Sequence, residues 1–181
     1  MTTARTDSLA ARATRSLLWV AVLAWGILLG GKLFDHVVLV GAWSANPPES
    51  LGLLPYGPRF PVDTGDYFFP SSVALLVCSL GLFVSGWRTP PRYRLVLFVP
   101  PLMLAVILVF TIRWFWPANA ALWAVAQGRA GAMQDPEAIA ALVRQWVAFD
   151  RVRIGAGLLA FVLCIRAISV PYPGPGDRDV A

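Results

Sequence analysis

Four long stretches of nearly uncharged residues limit what this chain can fold into more than any other feature. They run roughly over residues 16–40, 70–87, 95–116 and 154–170. A helix needs about 20 residues, at about 1.5 Å each, to cross the ~30 Å hydrocarbon core of a bilayer. In hydrocarbon every backbone amide must pair within its own segment or barrel, so uncharged stretches of this length read as spanning helices. Composition agrees: 57% of the residues are hydrophobic and only 14% are charged, against about half and a quarter in soluble domains. Eight tryptophans and ten phenylalanines suit a chain anchored at membrane interfaces.

The fourth stretch is short by itself, but "QDPEAIAALVRQW" extends it backwards. Asp135 has the position of an N-cap, Pro136 of a first helical residue and Glu137 of a first-turn acid. Neither proline nor glycine interrupts the chain from there to Gly155. One helix from Pro136 to about Ser169 follows, about 50 Å long and longer than the bilayer core. The expected fold is all-α: a four-transmembrane-helix bundle in a single membrane domain, residues 1–170. Its spans are near 16–40, 70–87, 95–116 and 146–170, with an outer loop at 41–69 and an outer helical segment at 117–145. The tail "PYPGPGDRDVA", residues 171–181, reads as disordered.

Charge sets the orientation. Arg5, Arg12 and Arg15 precede the first span, and Arg88, Arg92 and Arg94 lie around the short link between the second and third. The first long loop balances Arg59 against Glu49, Asp63 and Asp66. Basic flanks belong on the cytoplasmic side, so both termini are expected there, in the inner membrane of a bacterial-type cell. The first span reads as a retained helix, because no clean A-x-A cleavage site precedes Lys32. The net charge of +5 is thereby an orientation signal, and no nucleic-acid partner is expected. No phosphate loop, G-x-S-x-G element, zinc spacing or internal repeat occurs, and Cys78 and Cys164 fall within spans as small hydrophobes.

Against this background "GGKLFDHVVLVGAWSANPPES" stands out, because Lys32, Asp35 and His36, the chain's one histidine, interrupt an apolar helix. Lys32 meets Asp35 at i+3 and His36 at i+4, and Trp43 continues the face if the helix runs on. In the expected topology these residues share the outer half of the membrane with Arg113 and Asn119 of the third helix. Trp146, Asp150, Arg151 and Arg153 of the fourth lie at the same depth. Trp146, Asp150, Arg153 and Gly157 form one stripe, with Gly157 suited to a close helix approach. Charge at membrane depth costs several kcal/mol on most scales and marks a functional site when it faces the bundle and pairs. Arg113, Arg151 and Arg153 also have the alternative role of anchors that reach the interface. The loop over residues 41–69 is rich in proline yet strongly apolar, so it reads as a lid over this mouth, with Glu49 directed either at the cluster or at solvent.

"TIRWFWPANAALW", with Pro117, Asn119 and Leu122, followed by "RQWVAFDRVR", with Trp146, Asp150 and Arg153, resembles the anthrone oxygenase-like (DUF1772-type) four-span membrane proteins. That family carries a P-x-N-x-x-L element after the third span and W-x-x-x-[N/H/D]-x-x-R entering the fourth; this chain has Asp150 where His or Asn is common. The resemblance implies a small-molecule tailoring enzyme that oxidises a lipophilic aromatic substrate with dioxygen and no cofactor. It would work by acid–base chemistry in an outer-leaflet pocket. In that reading His36, oriented by Asp35 or Asp150, is the base. Lys32, Arg113, Arg153 and Asn119 hold the anion, Glu49 lines the pocket, and Trp43, Trp114 and Trp146 sandwich the ring. Two other readings remain open at this point. Asp35, His36, Glu49 and Asp150 could instead hold a transition metal in a membrane oxidoreductase. The chain could also be a non-catalytic accessory subunit or small transporter, although the inner halves of the spans offer almost no polar path. The bilayer and a lipophilic small molecule are the expected partners, and a homo-oligomer is compatible with all three readings.

Overall fold

The computed structural model describes residues 9–55, 62–87 and 89–173. Arg5, Arg59 and Arg88, residues 56–61 of the outer loop and residues 174–181 of the tail lie outside the described residues. Four helices are long and apolar enough to cross a membrane: α1 Leu9–Trp43, α2 Thr64–Gly86, α3 Pro91–Ala126 and α4 Pro136–Ser169. No strand occurs among the described residues. α1 packs on α2 and α4, and α3 packs on the same two, so the helices stand in cyclic order. Leu18, Leu82, Leu97 and Ala167 share one core cluster, which puts the start of α1 and α3 beside the ends of α2 and α4. Trp43, Phe115, Leu122 and Trp146 share another at the opposite end. The bundle therefore runs up, down, up, down. Only 17% to 33% of the residues in each spanning window are buried. The outward faces carry Trp19, Leu23, Val77, Leu80, Val106 and Val162, an apolar exterior suited to lipid.

The helix ends follow local chemistry. α2 begins at Thr64, ahead of the expected residue 70, because "DTGD" inside the proline-rich loop is a capping box. Asp63 Oδ1 accepts from the amides of Gly65 and Asp66, and Asp66 Oδ2 accepts from the amide of Asp63. Pro70 then lies inside the helix. α3 continues past Pro117 to Ala126, so the expected outer segment 117–145 is divided between two helices and a turn. Gly128 takes φ 60° and ends α3: its amide reaches Val125 O and the Arg129 amide reaches Ala124 O, each at 3.0 Å. That pair of bonds needs a residue with no Cβ penalty at positive φ. α4 starts where its sequence signals place it, with Asp135 accepting from the Glu137 amide at 3.0 Å.

Two of the long helices widen locally. Asp35–Val40 in α1 and Thr111–Phe115 in α3 are π-helical, a departure that often accompanies functional sites. Beyond α1, a 3₁₀ turn at Glu49–Leu53 folds the loop back onto the bundle. Leu51 is fully buried there and Leu54 nearly so, beside Phe115, Leu122 and Trp146. The described part of the loop thus closes one end of the bundle.

Gly157 on α4 is the close-approach point expected from its stripe. A Cβ there would stand 2.9 Å from Leu29 Cδ2 and 3.4 Å from Trp25 Cζ3 of α1. Gly157→Val should lower stability by about 1–3 kcal/mol through overpacking, read as thermal unfolding of the detergent-solubilised protein. An unchanged midpoint would show that α1 yields freely at this contact.

Candidate active site

The charges that interrupt α1 and α4 meet in one buried network. Asp150 has no exposed surface, and three side chains converge on it. Lys32 Nζ lies 3.1 Å from Oδ1, and Arg153 donates to Oδ1 through Nε at 3.1 Å and Nη2 at 2.5 Å. His36 Nδ1 lies 2.7 Å from Oδ2. Lys32 also donates to Asp35 Oδ2 at 2.5 Å. Burying an unpaired charge is costly, and here two cations, Lys32 and Arg153, face two carboxylates, Asp35 and Asp150. The quartet is therefore neutral when His36 is neutral. A neutral His36 then carries its proton on Nδ1, donated to Asp150, and presents a lone pair at Nε2.

A cavity of about 560 Å³ opens beside this network, bounded by all four helices. Lys32 and Asp35 of α1, Thr111 and Asn119 of α3, and Trp146 and Arg153 of α4 supply its polar wall. Trp25, Phe68, Phe69, Phe115, Trp116 and Trp123 supply aromatic surface. Phe69 and Trp116, 68% and 60% exposed, lie at its rim, so the cavity reaches the apolar exterior between α2 and α3. Arg153 stacks on Phe115 with its guanidinium carbon 3.8 Å from the ring centroid, and Lys32 Nζ lies 5.4 Å from that of Trp146. Aromatic faces favour cations; both charges are thus held by rings on one side and by carboxylates on the other. Thr111 Oγ1 lies 3.4 Å from Arg153 Nη1 and donates to Ile107 O at 2.7 Å.

The two sequence motifs meet here. Trp146 Nε1 donates to Asn119 Oδ1 at 2.7 Å, which joins the P-x-N element of α3 to the W-x-x-x-D-x-x-R stripe of α4. Trp146→Phe would leave the Asn119 carbonyl unpaired and should lower stability by about 1–3 kcal/mol, read by thermal unfolding in detergent. A change smaller than measurement error would remove this bond from the scaffold.

Of the expected site residues, Lys32, Asp35, Asn119, Trp146 and Arg153 line the cavity. Asp150 lies behind them. His36 reaches Asp150 but lines neither this cavity nor the neighbouring one around Gly31 and Tyr67. Trp43 is 1% exposed and packs edge-on against Trp146, and Trp114 packs on Phe110 and Phe149, so neither faces the cavity. Arg113 is exposed and outside the network, because Thr111 and Phe115 take the inward positions on either side of it. Glu49 is exposed too: Leu51 takes the buried position of that turn. Without Glu49 the mixed metal set does not assemble, and among the described residues no group of three or more His, Cys, Asp or Glu side chains is placed to hold a metal ion. The ring surface of Trp25, Phe68 and Phe115 was not anticipated from sequence; the only signal was spacing, with Trp25 and Lys32 seven apart on one helical face.

The model of the anthrone oxygenase family matches residues 59–163, more than half of the 181-residue chain. The matched stretch takes in Thr111, Asn119, Trp146, Asp150 and Arg153; Lys32, Asp35 and His36 precede it. No curated protein and no solved structure matches the chain. With four spanning helices, both motifs in contact and this match, the chain belongs to the anthrone oxygenase family.

Proposed function

We propose that the protein is an integral-membrane oxygenase that oxidises a flat, lipophilic aromatic substrate bearing an acidic phenol or enol, with dioxygen as the oxidant. The observation that carries this reading is the pairing of two cations, Lys32 and Arg153, with the aromatic wall of one cavity. An aromatic wall suits a flat ring, and paired cations suit the anion such a ring forms on losing a proton. The rim at Phe69 and Trp116 suits a substrate that arrives through lipid. For an anthrone-type methylene the overall change is CH₂ + O₂ → C=O + H₂O. The carbon loses two hydrogens, one oxygen atom enters the product and the other leaves as water. Ionising the substrate makes it electron-rich, which is what reaction with dioxygen requires; the protein's part is to hold the anion in place. Asp35, at the cavity wall with Oδ2 held by Lys32, is the nearest carboxylate to receive the proton. The reading invokes no cofactor.

Arg12, Arg15, Arg92, Arg94 and Arg166 belong to the bundle end opposite the cavity. The positive-inside rule supports cytoplasmic termini and a cavity in the outer leaflet of the cell membrane. The test is oxygen uptake by purified protein in detergent or vesicles with anthrone as substrate. Uptake matched by quinone formation, one O₂ per quinone, is the expected result. Absence of uptake with anthrone and with hydroxylated anthrones would overturn the reading.

A further inference from the structure

The network around Asp150 has an outlet that the oxygenase reading does not use. Lys32, Asp35 and Arg153 line the cavity, and Asp150 has no exposed surface. His36 is different: 16% of its side chain is exposed, yet it lines neither cavity. It therefore connects the buried carboxylate to surroundings other than the substrate. Charge accounting gives this placement a purpose. The resting quartet of Lys32, Arg153, Asp35 and Asp150 is already neutral. A substrate anion added to it leaves one uncompensated negative charge in a low-dielectric site, which is expensive. One more proton on the protein restores neutrality. Asp35 and His36 are the two groups able to take it, and an imidazole is a stronger base than a carboxylate by about two to three pKa units in water. Protonating Asp35 would also disrupt its charge-assisted bond from Lys32. Protonating His36 at Nε2 leaves its Nδ1 bond to Asp150 intact and makes it a bond between opposite charges.

Resting on the reading of the cavity as a site for a phenol or enol, we infer that His36 is a positioning residue that stores the substrate's proton while the anion is held. On binding, the substrate O–H bond breaks, its electron pair stays on oxygen beside Lys32 and Arg153, and an N–H bond forms at His36 Nε2. Protein and ligand together gain and lose no proton. The groups that set the balance are Lys32 and Asp35 on α1 with His36, and Asp150 and Arg153 facing it from α4.

The test uses 2-naphthol, a flat phenol that ionises well above pH 7 in water and whose neutral and ionised forms absorb differently. Full-length protein in weakly buffered detergent is titrated with it between pH 7 and 8.5, with absorbance and released protons recorded together. Wild type should bind it as the anion, release no proton, and show an apparent affinity that is flat with pH. His36→Gln can still donate to Asp150 but cannot store a proton. It should release one proton per bound naphthol, and its affinity should fall tenfold for each unit of lowered pH; His36→Asn gives the same contrast if glutamine is not tolerated. One proton released by wild type overturns the inference. So does zero release by wild type and variant alike, which would leave the proton on Asp35. Naphthol bound without ionisation, or not bound, counts instead against the cavity as a site for aromatic anions and takes the inference with it.

Discussion

Asp150→Leu should destabilise the folded bundle by about 3–5 kcal/mol, the usual cost of removing one partner from a buried ionic cluster. The carboxylate it removes is wholly buried and serves Lys32, Arg153 and His36 at once. Leucine is close in volume, so packing is nearly kept; what remains is two cations facing only Asp35. The expected readout is a large fall in thermal midpoint in detergent, with much of the protein misfolded on expression. Adding Lys32→Met, Asp35→Asn and Arg153→Met should recover most of the loss, because replacing a whole buried network by apolar groups is often neutral or stabilising. A single variant within about 1 kcal/mol of wild type would show that water reaches Asp150 freely.

Lys32→Met should reduce the rate of oxygen uptake by two to three orders of magnitude per folded molecule, the scale typical of losing one donor to a developing oxyanion. Lys32 lines the cavity and is bonded on its far side to Asp35 and Asp150, so it is fixed before substrate arrives. Arg153→Lys should lose less, because it keeps charge at the wall while giving up the planar fork that grips Asp150 Oδ1 and stacks on Phe115. The measurement is the initial rate on an anthrone with folded fraction set by circular dichroism. Full activity in Lys32→Met would remove the lysine from the chemistry.

The spans were legible because hydrocarbon permits so few backbone solutions that apolar length alone selects a helix. The Asp150 stripe was legible for a similar reason: 3.6-residue periodicity on an uninterrupted helix leaves no freedom in which residues share a face. Sequence reasoning weakened where the chain turns or widens. Glu49 sits in a turn whose direction depends on Leu51 finding the core, a tertiary choice that no local pattern states. Arg113 sits in a π-helical segment, and the Thr111–Phe115 spacing turns it outward. His36 was placed beside the right carboxylate but on the wrong side of it for direct contact with a substrate in the cavity. Spacing along α1 says which residues are neighbours, and not which side of the bundle the cavity occupies.

The widened segments at Asp35–Val40 and Thr111–Phe115 set the angular phase of everything beyond them. One residue in an α-helix corresponds to about 100° of rotation, so a π segment turns the outer end of its helix out of step with the inner end. Asn119, Trp123 and Trp43 owe their bearings to that offset more than to the apolar spans below. The lipid-embedded halves of α1 and α3 can therefore exchange one apolar residue for another without re-aiming the outer end. A single residue lost from either widened segment would swing its outer end by about a quarter turn and dismantle the wall around Arg153.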